Sequence, residues 1–317
     1  MKLYLGEATS IVFKTFPYIF LRFLVYGAFA IGFLVYLGVV YLIAEALAGL
    51  HEHARLFVWV LALGASYPLI RLAQEYLLYL VKAGHLAVIT ELIMHGSLPQ
   101  GVSQTTWGKE AVKKRFASTS ALFLVDRLVA GVIRTLNGVM WRITSFFGVI
   151  PGVAALTKIG TTVLHFSLTY VDEAILARNF LRKDESIWES AQTGLVLYAQ
   201  AWREILKTAL VLGAISMIFL PVLFLLLLGP FLAAGYAFPS IKFLFVLAAI
   251  FGAYVIKAAF LDPWMLTNMI LTYVRTTEGM AVNPEWNDKL ASMSKKFRKL
   301  QEKTSTVAPV GETVVAS

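Results

Sequence analysis

The sequence predicts an all-α polytopic membrane protein, a bundle of about six transmembrane helices. The chain of 317 residues is 58% hydrophobic and only 15% charged, which is far from the balance of a water-soluble domain. The segment Thr208–Ile241 contains no Asp, Glu, Lys, Arg or His. A helix that packs on the core of a soluble protein carries a polar stripe along one face, and this segment has none. We therefore expect membrane spans.

Residues 1–95 are predicted to form a first hairpin with a polar extension. Its first span, Phe23–Ala44, is uncharged and long enough to cross a hydrocarbon core about 30 Å thick. A cleaved signal peptide is the alternative interpretation. However, this apolar segment is too long for one, and a second apolar segment, Leu56–Ile70, follows closely. The short connection between the two segments predicts an antiparallel pair.

Residues 96–116 form a linker of small and polar residues that ends in a basic cluster. Loops rich in Lys and Arg lie on the cytoplasmic side of a membrane. We therefore expect both termini in the cytoplasm, and the spans in the cell membrane (inner or plasma). The basic residues that support this orientation are Lys2, Lys14, Arg22, Lys109, Lys113, Lys114 and Arg115.

Residues 117–185 combine long apolar stretches with charges. Arg127 and Arg134 fall close to one helical face, and a break at Ile150-Pro151-Gly152 separates two helices. These are either two polar spans of the bundle or two helices that lie at the interface. A charged group deep in lipid costs about 2.5–3.5 kcal/mol, so spans would need protein or water around the arginines. We favour two spans, which raises the total from four to six.

Residues 186–207 are predicted to form an amphipathic helix that lies in the membrane interface. Trp188, Tyr198 and Trp202 belong to an apolar stripe with three- and four-residue steps. Aromatic residues on the apolar face of an amphipathic helix are typical of the interface between lipid and water.

Residues 208–261 are predicted to form a transmembrane hairpin. We expect it to fold back at Gly229-Pro230 and between Gly235 and Pro239. Lys257 interrupts its second span, and we expect this side chain to extend its ammonium to the interface.

Residues 262–303 are predicted to form cytoplasmic or interfacial helices. Asp262-Pro263 predicts a helix start, since Asp is a good N-cap and Pro is tolerated at the first helical position. The last helix, Glu285–Lys303, has an apolar stripe surrounded by basic residues. Such a helix is expected to dock on an anionic leaflet. The candidate lipid contacts of the chain are Trp188, Trp202, Trp286, Lys295, Lys296, Arg298 and Lys299.

We expect residues 1–303 to form a single membrane-embedded domain. Residues 304–317 are small and polar, and we expect a disordered tail. The net charge of +9 is interpreted as cytoplasmic loops and contacts with anionic lipids. Nucleic acid is therefore not an expected partner.

Motifs that carry catalysis are absent from the sequence. It contains no P-loop, no nucleophile elbow and no H-E-x-x-H. With no Cys, thiol catalysis and cysteine metal sites are excluded. His51-Glu52-His53 could touch a metal, but residues two apart do not share a helical face, so we favour a solvated turn. We expect no enzymatic activity, no cofactor and no metal.

The best candidates for solute binding close the apolar run of the middle segment. They are Tyr170, Asp172 and Glu173, because carboxylates near an aromatic ring can hold a cation. Arg127 and Arg134 join them if the middle helices enclose water. The alternative, which we favour, is that both carboxylates form ion pairs at the membrane surface. Their basic partners would then be Arg178, Arg182 or Lys183.

A series of residues in the C-terminal half, taken in order and spacing over about 130 residues, carries a family resemblance. The residues are Ser190-Ala191, Arg203, Gly252–Ile256, Phe260, Tyr273, Glu278-Gly279, Pro284, Lys289-Leu290 and Lys299-Leu300. With them the C-terminal half resembles the choline transporter-like family. Members of that family are longer and carry a Cys-containing outer loop, which this chain lacks. The resemblance implies a channel- or carrier-like bundle for choline or a related amino alcohol.

The sequence as a whole therefore favours a transporter- or channel-like protein. We expect its solute to be a small cation such as choline. The alternative is a non-transporting membrane scaffold that recruits lipid or a protein partner through its basic C-terminal helix. The expected partners are lipids of an anionic leaflet, the solute and further copies of the chain in a homo-oligomer.

Overall fold

The computed structural model describes residues 3–49, 53–73, 77–116, 119–145 and 170–306. Every regular element within these ranges is a helix, and they contain no strand. The predicted all-α class is therefore confirmed. The helices are α1 (Leu5–Lys14), α2 (Phe16–Ala48), α3 (Ala54–Ala73), α4 (Tyr79–His95), α5 (Gln104–Phe116), α6 (Thr119–Ser145), α7 (170–181), α8 (Ile187–Gly235), α9 (Lys242–Ile256), α10 (Asp262–Thr277), α11 (Pro284–Met293) and α12 (Lys295–Thr306).

The chain divides into two compact units, where the sequence indicated a single domain. The apolar unit consists of Phe16–Ala83 and Ile218–Pro263. The polar unit consists of Met1–Thr15, Gly84–Met217 and Trp264–Ser317. Each unit is therefore assembled from segments that are distant in sequence.

The apolar unit exposes most of the large apolar side chains that are found on the surface of the described residues. Its central helix, α2, packs on α3 and α9. Ile31 and Leu42 of α2 are 64% and 65% exposed, and Phe57 of α3 is 68% exposed. Only 17% of the most apolar part of α2 is buried. A soluble protein does not leave so much contiguous apolar surface in water, so this surface matches a lipid environment.

Within the described residues, three helical stretches have the length and composition of membrane spans. They are Phe16–Ala48, Ile187–Gly235 and Pro239–Thr277. Helix α5 and part of α6, which are bent by 80° relative to each other, give a fourth span only if they are counted together. A shorter apolar helix, Ala54–Pro68, follows the first span. The chain thus has several helices of the kind that a multi-pass membrane protein requires.

Helix α6 is amphipathic and belongs to the polar unit. Val125, Val129 and Val132 are buried, whereas Arg127 and Arg134 are exposed. A charged outer face opposite a buried apolar face is typical of a helix that packs on a protein core in water. Taken alone, α6 is not one of the three spans. The predicted second span of the middle segment, Val153–Val171, lies outside the described residues except for its last two positions.

Helix α8 corrects the prediction of a separate interfacial helix. Its 49 residues correspond to about 74 Å at the rise of an α-helix, and no break separates residues 186–207 from the apolar segment. The predicted stripe faces the interior of the polar unit, since Ala191, Leu195, Tyr198 and Ile205 are fully buried. Helix–helix packing inside the protein therefore accounts for this stripe.

The predicted hairpin turn lies at residues 236–238, within the later of the two expected positions. Helix α8 continues through Pro221 and Pro230. The ammonium of Lys242 lies 3.9 Å from the ring centroid of Tyr236. The ring of Phe238 stacks on that of Phe245, with 5.9 Å between centroids. These contacts fix the turn.

Helix α10 begins at Asp262, as predicted, but it continues directly from α9 and Asp262 does not act as an N-cap. A π turn, Lys257–Leu261, joins α9 to α10, and Asp262 has helical backbone angles. A proline inside a helix removes a donor and crowds the carbonyl four residues earlier. That carbonyl belongs to Ala259, within the π turn, whose wider winding relieves the clash.

The C-terminal amphipathic segment forms two helices rather than one. Ser294, which has extended backbone angles, separates α11 from α12. Both helices pack on α6, and Leu290, Phe297 and Leu300 are fully buried. The apolar stripe that was expected to dock on a leaflet is thus covered by the protein itself. Helix α12 also extends to Thr306, three residues into the predicted tail.

Candidate functional site

The candidate site lies at the π turn of the apolar unit. The ammonium of Lys257 lies 2.6 Å from Oδ1 of Asp262, and the two side chains are 10% and 25% exposed. In an α-helix, side chains three and four residues apart are neighbours, whereas residues five apart are not. The i to i+5 winding of the π turn brings these two onto one side. The ion pair therefore depends on the turn.

Arg22 of α2 binds the same turn. Its Nη2 donates a hydrogen bond to the carbonyl oxygen of Ala258 at 2.7 Å, and the residue is only 1% exposed. The guanidinium also lies 5.7 Å from the ring centroid of Tyr26. Backbone carbonyls at a break in a membrane helix need a partner other than water. Arg22 supplies one for the turn.

Three charges thus meet at this turn, two positive and one negative. Charged groups inside membrane segments are costly, and they occur mainly where they have a function. The carboxylate of Asp262 is the most accessible of the three, whereas Arg22 is enclosed. An incoming solute would therefore meet Asp262 first. A cation that replaces the ammonium of Lys257 would keep the carboxylate of Asp262 paired.

Aromatic rings flank the turn. Phe260 belongs to it and is 40% exposed, and its ring centroid lies 5.9 Å from that of Phe23. Ring faces attract cations, especially quaternary ammonium groups, which cannot donate hydrogen bonds. Phe260 and Asp262 are two residues apart and do not share a helical face. The ring and the carboxylate therefore do not reproduce the combination that the sequence led us to expect at Asp172.

The solute-binding candidates chosen from the sequence lie in the polar unit. Tyr170 and Glu173 are buried in α7, and Asp172, which is half-buried, accepts a hydrogen bond from the backbone N–H of Glu173 at 2.9 Å. Arg127 and Arg134 lie on the exposed face of α6, where Nε of Arg134 donates to the carbonyl of Ala130. None of these five residues lines the apolar groove between α2 and α3 or the cavity beside α5.

The three basic residues that we expected as partners of Asp172 and Glu173 form ion pairs with other carboxylates. Arg178 forms a two-pronged ion pair with Glu185, in which Nη2 and Oε1 are 2.9 Å apart and Nη1 contacts Oε2. Nε of Arg182 lies 3.2 Å from Oε1 of the same Glu185. Lys183 lies 3.4 Å from Oε2 of Glu91. These basic residues are thus paired with carboxylates that the sequence did not single out.

The candidate lipid contacts differ in their exposure. Trp188, Trp202 and Trp286 are half-buried. The guanidinium of Arg203 lies 5.5 Å from the ring of Trp202, and the ammonium of Lys289 lies 4.7 Å from that of Trp286. The basic candidates of α12 are all exposed: Lys295, Lys296, Arg298 and Lys299.

An apolar groove of about 470 Å³ lies between α2 and α3 in the apolar unit. Ala28, Gly32 and Tyr36 line one side, and Ser66 lines the other. The hydroxyl of Tyr36 donates to the carbonyl of Ala62, and that of Ser66 donates to the carbonyl of Leu63. Because these hydroxyls are bonded to backbone, the groove presents mainly apolar surface.

The sequence contained a signal for the π-turn site that the prediction did not use. Lys257 and Asp262 are five residues apart and Pro263 follows, a spacing that suits a π turn. Each residue received a separate explanation instead, extension of Lys257 to the interface and capping by Asp262. Arg22 was assigned to a flanking position, and nothing in the sequence connects it with Ala258.

Comparisons with protein-family models, with curated proteins and with solved structures find no match to this chain. The resemblance to the choline transporter-like family thus rests on the residues named above. The described ranges also contain no group of three or more His, Cys, Asp or Glu placed to hold a metal ion. Residues His51 and Glu52 lie outside those ranges.

Proposed function

We propose that this protein is a multi-pass membrane transporter for a small organic cation, such as choline or a related amino alcohol, and not an enzyme. The observation that carries the proposal is the ion pair of Lys257 and Asp262 in a helical stretch of span length. An ionisable pair in such a segment is by default a functional site. The family resemblance supports the same class of solute.

The proposed step is an exchange of cations at Asp262. The solute displaces the ammonium of Lys257 from the carboxylate of Asp262, and the long side chain of Lys257 carries its ammonium toward the interface. Lys257 returns when the solute leaves. Because one cation replaces another, the carboxylate never remains without a partner, a state that costs about 3–5 kcal/mol at a fully buried site.

The orientation that we propose follows the distribution of basic residues. Lys14 and Arg22 precede the long apolar part of α2, and Lys113 and Lys114 follow the first hairpin. The positive-inside rule then places both termini in the cytoplasm. We propose the cell membrane as the location, whereas assembly into a homo-oligomer remains a prediction.

The test is uptake of radiolabelled choline into proteoliposomes that contain the full-length chain. We expect uptake by the wild type, and its loss in D262N. The control is E45Q, because Glu45 forms an exposed ion pair with Arg55 in the same unit. A second comparison is D172N/E173Q, which should retain uptake. Wild-type rates in D262N, with loss in D172N/E173Q, would assign the solute to the polar unit instead.

A wild-type chain that moves no choline would contradict the transport proposal and favour the scaffold alternative. One observation supports that alternative. Helix α12 buries Phe297 and Leu300 on α6 while Lys295 and Lys299 remain exposed. A partner or an anionic leaflet would then meet a surface with an excess of basic residues. Sedimentation with anionic vesicles, compared between the wild type and K295Q/K299Q, measures that interaction.

A further inference from the structure

A second cavity, of about 750 Å³, lies in the polar unit at helix α5. Trp107, Glu110 and Lys114 line it, and their three- and four-residue spacing places them on one face of α5. The ring of Phe116, in the last turn of α5, packs edge-on against Phe180 of α7, with 5.7 Å between centroids. This contact fixes the helix beside α7, so the cavity is part of the fold.

We infer that this cavity binds a phosphate group. Its lining carries four positive charges, on Lys113, Lys114, Arg115 and Lys183, against the single negative charge of Glu110. One of the four is shared with an outside partner, because Lys183 lies 3.4 Å from Glu91. A dianionic group therefore enters a site with an excess of positive charge. Neither the transport proposal nor its residues enter into this inference.

Arg115 is held in place by the backbone of the segment that follows α7. Its Nη2 donates to the carbonyl oxygens of Arg182 and Glu185 at 2.9 and 2.8 Å. Partial burial lowers the pKa of this guanidinium, while Glu185 and Asp184 raise it. The group still carries its charge at neutral pH, because the pKa of arginine is far above that range.

Two buried donors at the cavity lack an acceptor. The indole Nε1 of Trp107 and the Nε of Arg115 have no hydrogen-bond partner among the residues that the structure describes. A buried donor without an acceptor is costly, which is why nearly all such groups in proteins are paired. A phosphate has several acceptor oxygens and makes strong bonds to guanidinium and ammonium groups. Both donors are occluded as they lie, so they reach a ligand in the cavity only after their side chains turn. The charge excess of the lining is therefore the observation that selects a phosphate.

Two sources can supply that chemistry, the headgroup of an anionic phospholipid or a soluble phosphate compound. The test has one arm for each, with the full-length protein purified in a nonionic detergent. The first arm titrates inorganic pyrophosphate by calorimetry. The second counts bound phosphatidic acid by native mass spectrometry. Binding in the first arm alone identifies a soluble ligand, and binding in the second arm alone identifies a lipid headgroup.

The decisive comparison is between two variants that each remove two charges. K114Q/K183Q changes two residues that line the cavity from different elements. K109Q/K303Q changes two exposed residues outside its lining, one of them on α5 itself. We expect K114Q/K183Q to weaken binding about tenfold or more, and K109Q/K303Q by less than about twofold. Equal weakening in both variants, or no binding by the wild type in either arm, would overturn the inference.

Discussion

Arg22 and Ala258 are joined by a hydrogen bond of 2.7 Å, although 236 residues separate them in sequence. The guanidinium reaches from α2 to a carbonyl of the π turn and is almost fully enclosed. Hydrogen bonds from charged donors stabilise a fold by about 1.5–3 kcal/mol. This bond ties the first membrane helix to the second half of the apolar unit.

We expect R22M to destabilise the apolar unit, because it leaves a carbonyl of the turn without its donor. The loss should be about 1.5–3 kcal/mol. The matched control is R55M, which breaks an exposed ion pair with Glu45 in the same unit and should cost less than about 1 kcal/mol. Thermal unfolding of the purified protein in detergent compares the two. Equal unfolding midpoints for R22M and R55M would show that the Arg22 hydrogen bond stabilises the fold no more than an exposed ion pair does.

The ion pair at the π turn should show strong coupling in a double-mutant cycle. K257M or D262L alone leaves a partly buried charge without its partner, and each should lower stability. The loss should be below the roughly 3–5 kcal/mol of a fully buried pair, because Asp262 is a quarter exposed. We expect K257M/D262L to be more stable than either single variant. Additive losses would mean that the two side chains do not interact in the membrane.

Gly194 allows α8 to approach its neighbours closely in the polar unit. A Cβ there would lie 3.0 Å from Cγ2 of Ile175 and 3.2 Å from the hydroxyl of Tyr273, which donates to the Gly194 carbonyl at 3.1 Å. Alanine gains about 1 kcal/mol of helix propensity, but overpacking costs about 1–3 kcal/mol. Since several packed neighbours surround this Cβ position, we expect G194A to be net destabilising.

The control for G194A is a second glycine of the same helix. Gly229 has no atom within 4 Å of its Cβ position, so G229A should be neutral or stabilising. The measurement is again the thermal midpoint in detergent. If G194A were as stable as G229A, the close packing of α8 on α7 and α10 would be incorrect.

Single-cysteine spin labels can test the division into apolar and polar surfaces, because the chain has no Cys of its own. A nitroxide at exposed Ile31 should be relaxed strongly by oxygen, which concentrates in lipid. A label at Leu37, which is 4% exposed on the same helix, should be relaxed only weakly, both by oxygen and by a water-soluble relaxation agent. A label at Arg134 should instead be relaxed by a water-soluble nickel complex, since α6 exposes this residue on a charged face.

An oxygen response at Arg134 as strong as that at Ile31 would contradict our assignment of α6. The helix would then be in lipid, as the sequence led us to favour. The comparison between lipid and water exposure is direct, because the Arg134 and Ile31 labels are measured in reconstituted membranes of the same composition.

The predictions that succeeded rest on properties of a single segment. The uncharged run at Thr208–Ile241 is helical as expected, and its turn lies near Pro239. The predictions that failed concern whether lipid or protein covers the apolar face of a helix. The stripes around Tyr198 and Phe297 have the spacing of interfacial helices, yet both are buried in the polar unit. A stripe has the same spacing whether lipid or protein covers it.

The sequence by itself determined the helical class and the presence of helices long and apolar enough to cross a membrane. Length and uninterrupted apolar composition are local quantities, and the cost of placing backbone and charge in lipid acts on each segment separately. Only the tertiary structure decided that Lys257 faces Asp262 across a π turn and that Arg22 binds its carbonyl. Those contacts depend on the local winding of one helix and on its packing against another. The spacing of apolar residues along the sequence specifies neither this winding nor this packing.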